Sequence, residues 1–374
     1  MHSLKKILSY VQPYLRLIPL TTMRRYVGQW LKKYQLFVGL LLLGLIVLKL
    51  TWGQSRLVIL KGDAMGTYYC IKYLDRWGRS YQKEIEDLLG RLEHTLSTDV
   101  PDSELVRFNA HDCSEFHFES PFFYPVFAKS KEVYRQTSGA FDPTILTLVN
   151  AWVGSPAEAT DSENQQINLL REYVSLDYVV ANGQRIKKLK EGVKLDFRGI
   201  LRGYAVDQIA ALLCTHDIEN AWIALGNEIL MQGKPSQRRY WQTEIHPHVG
   251  SLVGENLQIT MELVDKAIAI SSQQLQGSAA EGQRIDPATS HPSQHTLLAA
   301  VVVAQDGITA DAYATAMMVR GLAYAQELVA KQAGLAAFLI YKDENGAPAF
   351  YISPNLSMLQ KPHTISLQWN QEAA

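Results

Sequence analysis

The sequence predicts a body of mixed helices and strands behind an apolar N-terminal span, and three observations carry that reading. Residues 36–48 (LFVGLLLLGLIVL) form an apolar run with only basic charge ahead of it. Beyond it, β-branched and aromatic stretches bounded by glycine turns alternate with stretches whose apolar residues recur at helical spacing. Residues 297–303 are apolar throughout, as a strand covered on both faces requires.

The N-terminal span comes first. Residues 1–62 contain no acidic side chain, and Lys5, Lys6, Arg16, Arg24, Arg25, Lys32 and Lys33 precede the apolar run. Residues 1–35 read as a basic segment and 36–52 as a transmembrane anchor or signal segment. Lys49 can snorkel and Trp52 can sit at the interface, which brings the stretch to the short end of the roughly 17–25 residues that cross a bilayer. Basic charge ahead of the span predicts a cytoplasmic N-terminus, a single pass through the inner membrane and a soluble domain on the periplasmic side. A cleaved signal peptide is the competing reading. No small-residue cleavage pattern and no lipid-accepting cysteine follow the run, which favours a retained anchor.

Composition narrows the rest. A chain of 374 residues with 47% hydrophobic content can bury a large core, and a net charge of −1 offers no global field for nucleic acid. Cys70, Cys113 and Cys214 are scattered, without the paired spacing of a zinc site or a disulfide framework.

The body spans 57–352, with a C-terminal tail over 353–374. Residues 57–60 and 68–74 flank Ala64-Met65-Gly66-Thr67 as a hairpin-like start. Residues 81–95, with Ile85, Leu88, Leu89 and Leu92 in helical register, predict a helix. Asp102 or Ser103 can cap a short helix after it. A helix over 124–137 runs into Ser138-Gly139-Ala140-Phe141-Asp142-Pro143-Thr144. Residues 159–189 look peripheral and hold a hairpin around Asn182-Gly183. Residues 193–197 read as the end of a strand and 205–214 as a helix. Strands follow at 221–225, 240–245, 256–261, 267–272 and 297–303. A helix over 309–319 and a hairpin at Asn345-Gly346 close the body.

Four stretches bear chemistry. Between Asp196 and Asp207 lie two glycines and two arginines, a turn whose backbone N–H groups and guanidinium forks suit a phosphate; a tight turn with surface arginines is the plainer reading. Asp142, fixed before a proline, suits a rigid ligand contact or an Asx-turn. Gly226-Asn227-Glu228 is another strand-end glycine turn with a carboxylate. Asp311 and Thr315, four apart, share one helical face, where they suit a hard cation such as Mg²⁺; Thr309 or Asp311 capping the helix is the plainer reading.

Five motifs in one order, Ala64-Met65-Gly66-Thr67, Gly139 to Thr144, Leu195 to Asp207, Ile285-Asp286-Pro287-x-Thr289 and Asp311-Ala312-x-x-Thr315, resemble the ApbE family of FAD:protein FMN transferases. The resemblance covers about residues 57–352. It implies an α+β, two-lobed fold with FAD in a cleft between the halves. It also implies Mg²⁺-assisted cleavage of the FAD pyrophosphate, with FMN placed on a threonine or serine hydroxyl of a partner redox protein and AMP released. Partners in such a family include subunits of sodium-translocating NADH:quinone reductase and of Rnf-type complexes. By resemblance, Met65, Ala140, Phe141, Asp142, Asp196, Arg202, Glu228 and Ile285 contact FAD. Asp311, Thr315 and the Gly199 carbonyl hold Mg²⁺, with Asp311 also catalytic. The chain departs from the pattern at several places. Gln283 stands where the family places a histidine, three residues before the Asp of the Asp-Pro turn, and an amide does not take a proton at neutral pH. Ser290 and Asn227 replace glycines, Asp99 replaces an aromatic residue and Arg202 a lysine. His291 and His295 are the nearby replacements for the base. Without one, the alternatives are an FAD-binding assembly module or metal-dependent hydrolysis of FAD to FMN and AMP.

Overall fold

In the computed structural model of the chain, the described residues are 55–111, 115–152, 161–235, 240–245, 257–273, 284–357 and 364–369, with Tyr34, Phe37, Gly39, Leu40, Leu41 and Gly44 as helical positions in the N-terminal run. The rest of the predicted span, Cys113 and Gln283 lie outside the described residues. Among the described residues no helix is long and apolar enough to cross a membrane. The chain divides into two units, Met1–Arg56 and Leu57–Ala374.

The second unit is built on one antiparallel sheet. Its strands are β1 (Arg56–Ala64), β2 (Thr67–Asp75), then, after α1 (Gln82–Leu96), α2 (Glu104–Ala110), β3 (Phe116–His117), α3 (Phe123–Gln136), α4 (Leu146–Trp152), α5 (Asp161–Leu170), β4 (Val179–Asn182), β5 (Arg185–Lys188) and α6 (Leu201–Thr215), the pair β6 (Ala221–Leu225) and β7 (Glu228–Gln232). Following β8 (Trp241–Ile245) and β9 (Leu257–Leu263) come β10 (Lys266–Ser272), β11 (Leu297–Ala304), α7 (Gly307–Arg320), α8 (Leu322–Lys331), β12 (Ala336–Lys342), β13 (Pro348–Ile352), α9 (Pro354–Ser357) and β14 (Thr364–Trp369). The main sheet has eight strands in the order β1-β2-β6-β7-β10-β11-β12-β13, beside the small sheets β14-β9-β8 and β3-β5-β4. Part of the segment set apart in the sequence as a tail, Thr364–Trp369, thus pairs antiparallel with β9.

Side-chain alternation explains why β11 carries no polar position. Ala300, Val302 and Ala304 face the helices with Ala267, Ala269, Ala337 and Leu339. Val301 and Val303 face the small sheet with Ile268, Phe338, Ile340, Ile259 and Met261. Both faces are covered, so both sets are apolar. Leu298 and Ala299 fall on the same side because the register with β12 shifts between Leu297 and Ala299, as a bulge does.

Two sequence expectations change in this region. Residues 193–197 form no strand. Instead Asn109 clamps the backbone there: its Nδ2 donates to the Leu195 carbonyl at 2.8 Å and its Oδ1 accepts from Leu195 N–H at 2.7 Å. One side-chain amide stands in for the ladder. The helix expected from residue 205 begins at Leu201, so Arg202 and Gly203 lie in its first turn. The glycine there serves a helix crossing. A Cβ on Gly203 would run into the Gly307 carbonyl oxygen, and one on Gly307 into the Gly203 carbonyl, so α6 and α7 touch backbone to backbone.

Candidate functional site

Helix α7 is the spine on which the motif loops hang. Its N-terminus is held by α6, whose Asp207 carboxylate accepts from Gly307 N–H at 2.7 Å and Ile308 N–H at 2.9 Å. Asp306 completes the cap through Thr309 N–H at 2.9 Å, a role the sequence left to Thr309 or Asp311. In return Asp311 reaches back, its Oδ2 accepting from Gly203 N–H at 3.0 Å. Each helix therefore supplies a carboxylate to the other's exposed N–H groups. One turn on, the Thr315 hydroxyl sits 3.3 Å from the Gly199 carbonyl and donates to it. The three groups expected to hold a cation, Asp311, Thr315 and Gly199, are brought together across the crossing.

The other loops join the same helix. Tyr313 donates through its hydroxyl to Gln136, and Tyr324 of α8 donates to the Thr137 carbonyl at 2.8 Å, anchoring the turn that carries Ala140, Phe141 and Asp142. The Asp196 N–H donates to the Pro143 carbonyl at 2.7 Å, which fastens that turn to the arginine loop. At the far end of α7, Ser293 donates to the Val319 carbonyl at 2.7 Å, His295 Nε2 lies 2.8 Å from the Met318 carbonyl, and Arg320 Nε stands 3.3 Å from Asp286 Oδ1.

Each predicted FAD-binding residue has a defined place. Met65 adopts a left-handed backbone (φ 52°) at the β1–β2 turn, unusual for a side chain of its kind, and its N–H donates to Glu93 of α1 at 3.1 Å. Ala140 and Phe141 are buried, with Phe141 N–H on the Thr137 hydroxyl at 3.2 Å. Asp142 is buried and engaged by Thr144, accepting from its N–H at 2.9 Å and its hydroxyl at 2.6 Å; burial pushes its carboxyl up to about 6 against those bonds. That is the Asx-turn reading. Asp196 holds Arg198 in a two-pronged pair (Nε 2.9 Å, Nη2 2.7 Å to Oδ2). Ile285 and His291 stand elsewhere: Ile285 belongs to a separate apolar cluster with Leu148, Trp152 and Ile167, and the His291 ring meets Trp152 edge-on at 5.5 Å.

The charged centre lies where β7 and α7 meet. Glu228 is 2% exposed and Asp311 6%. Burial, together with Asp311 nearby, pushes the Glu228 carboxyl up to about 8. Burial likewise raises Asp311, opposed by Arg202 and the Gly203 N–H. Arg202 Nε sits 2.9 Å from Glu228 Oε2 as an ion pair, yet off the line of a hydrogen bond, so both atoms are buried without a hydrogen-bond partner among the described residues. Arg284 adds a further guanidinium, with Nη2 on the Ser271 hydroxyl at 3.0 Å and burial lowering its proton affinity. Unmet cationic donors against carboxylates pushed towards neutrality make a cradle for an anion. No three His, Cys, Asp or Glu converge as a metal centre among the described residues. The Asp311, Thr315 and Gly199 trio is one carboxylate with two neutral oxygens.

Sequence reasoning missed Arg284, Asn109 and Asp207. Asn109 and Asp207 bond backbone groups distant in sequence, which no local pattern announces. Arg284 left a signal: a cation directly beside buried Ile285.

The chain matches the ApbE family over residues 65–339. It is 30% identical over 310 residues to a FAD:protein FMN transferase of Haemophilus influenzae, covering 78% of this chain and 89% of that one. The corresponding protein of Vibrio cholerae is 30% identical over 318 residues, 81% of this chain and 93% of its own. Among solved structures, flavin transferase ApbE from Vibrio cholerae superposes with a TM-score of 0.70 at 29% identity, covering 81% of this chain and 99% of that one. The Pseudomonas stutzeri flavinyl transferase ApbE gives 0.70 at 26% identity, with 81% and 96% covered. On these grounds and on the α+β architecture they share, the chain belongs to the ApbE family.

Proposed function

We propose that this chain moves FMN from FAD onto a threonine or serine hydroxyl of a partner redox protein. The hydroxyl oxygen bonds to the FMN phosphorus, the anhydride bond to AMP breaks, AMP leaves and the hydroxyl proton passes to a base. The observation that carries the reading is the cradle on α7: Arg202 against the buried Glu228, and Arg284 with an unmet donor, beside Asp311, Thr315 and Gly199. A pyrophosphate supplies the negative charge that this cradle is short of.

One carboxylate with a hydroxyl and a carbonyl suits Mg²⁺, which keeps waters and takes substrate phosphates as further ligands. Bound there, Mg²⁺ would neutralise charge developing on the departing phosphate. The chain's own groups orient and bind. Asp311 holds the arginine loop through Gly203, and Thr315 fixes the Gly199 carbonyl. Met65, the Ala140–Asp142 turn, Asp196 and Glu228 are proposed to line the flavin and adenosine ends. Acceptors such as subunits of sodium-translocating NADH:quinone reductase or Rnf-type complexes fit a domain held on the periplasmic side of the inner membrane, the placement proposed from residues 1–52.

A second reading rests on Gln283. With an amide in the family's histidine position, the chain would hydrolyse FAD to FMN and AMP or serve as an FAD-binding assembly module. The test incubates the full chain with FAD, Mg²⁺ and a purified candidate acceptor. Covalent flavin on the acceptor, absent when EDTA is present from the start, is the expected result. AMP without labelling points to hydrolysis, and tight FAD binding with neither points to the assembly module.

A further inference from the structure

We propose that Arg284 is a pyrophosphate-contacting residue of this chain, its Nε–H donating to a phosphoryl oxygen of the dinucleotide. The inference rests on the FAD reading above and extends it to a residue outside the five motifs.

The placement follows from the sheet. Ala269 of β10 pairs directly with Glu228 of β7, so both project from one face, and Ser271, two residues on, projects from it as well. That is the face packed by α6 and α7, since Ala267 and Ala269 belong to the helix-side core. Arg284 comes to this face through its Nη2 bond to the Ser271 hydroxyl. Its neighbour Ile285 is bridged to Pro292 and turns into the separate cluster with Trp152. The extended backbone thus sends one side chain to each side, and the arginine goes to the site.

Partners decide what it does there. Arg198 is paired with Asp196, and Arg202 with Glu228. Asp311 and Glu228 act on Arg284 only through space. Among the described residues its Nε, shut off from solvent, meets no acceptor. A guanidinium held at one corner, with an unmet donor beside the cation trio, is poised for a bidentate anion, and an arginine fork matches phosphate geometry. A merely structural arginine would have its Nε satisfied by protein.

The test compares affinities for FAD and for riboflavin, which lacks phosphate, in the full chain by flavin fluorescence quenching. Wild type is expected to prefer FAD strongly. Arg284→Met is expected to weaken FAD binding roughly 10- to 100-fold while leaving riboflavin unchanged, as loss of a charge-assisted hydrogen bond does. Its thermal midpoint should stay level or rise, because no protein acceptor loses its donor except Ser271. Arg284→Lys, which keeps charge without the fork, should fall between. An unchanged FAD-to-riboflavin ratio in Arg284→Met overturns the inference. If Arg284→Met does not fold, an unchanged ratio in Arg284→Lys overturns it equally. A wild-type chain with no preference for FAD over riboflavin would instead defeat the functional reading on which the inference stands.

Discussion

The two faces of the eight-stranded sheet are packed by opposite means. On the side of the small sheet, Ile268, Val301, Val303, Phe338 and Ile340 meet Ile259 and Met261, and the contact is side chain against side chain. On the helix side the same strands present mostly small residues, Ala267, Ala269, Ala300, Ala304 and Ala337, with Val302 and Leu339 among them. There α6 and α7 press close enough for glycine carbonyls to define their crossing, and the carboxylates of buried Asp311 and half-buried Asp207 bind backbone N–H groups. One face is a dispersion contact that tolerates repacking. The other is a polar lattice in which a carboxylate's position is fixed by the partner helix.

The sharpest way to break this contrast is Asp311→Ala. It removes a ligand of the proposed Mg²⁺ site and the acceptor of Gly203 N–H, and Mg²⁺-dependent turnover is expected to fall by about three orders of magnitude. Wild-type turnover in a steady-state assay with EDTA controls would refute the metal assignment. Next come paired substitutions on the two faces. Phe338→Ala should cost about 3–5 kcal/mol in chemical denaturation while the folded fraction binds FAD normally. Gly203→Ala should cost about 1–3 kcal/mol or more through overpacking and should also impair FAD binding, since the added Cβ stands 2.7 Å from the Asp311 Cβ. Equal effects of the two on binding would erase the distinction.

A pH experiment reads the lattice from another side. Burial raises Asp207 to about 7, outweighing the Ile308 and Gly307 N–H groups that favour its charge. The raised folded value means that its stabilising contribution is complete below about pH 4 and is lost as pH rises through about 7. Asp142, raised to about 6, acts in the same direction. The thermal midpoint of Asp207→Asn should therefore vary less between pH 4 and 7 than that of wild type. The smallest effect is expected at His291→Ala: about 1 kcal/mol of stability from the lost ring contact with Trp152, with turnover changed less than tenfold. A fall of 100-fold or more would give that ring the proton-accepting role.

How much could be read from the sequence divides along the same line. The strand at 221–225 and the helix around 82–96 were legible, because local periodicity mirrors apolar faces such as Ile85, Leu88 and Leu92. The hairpin at Asn182-Gly183 was legible from turn chemistry, Gly183 taking φ 59°. Spacing on one helical face picked out Asp311 and Thr315, and only the resemblance to the ApbE family added the Gly199 carbonyl. The clamp of Asn109 on Leu195 and the cap of α7 by Asp207 were not legible, because the bonding groups lie 86 and 100 residues apart. The start of α6 was placed late because Gly203, a turn signal in sequence, is a contact point in space.

The mutual hold of Asp207 and Asp311 has a thermodynamic corollary. Neither helix can slide without carrying the other's first turn, so Gly199, Arg202 and Thr315 move as a single body. For two ligands held by that body, whatever factor one imposes on the affinity of the other is returned in equal measure.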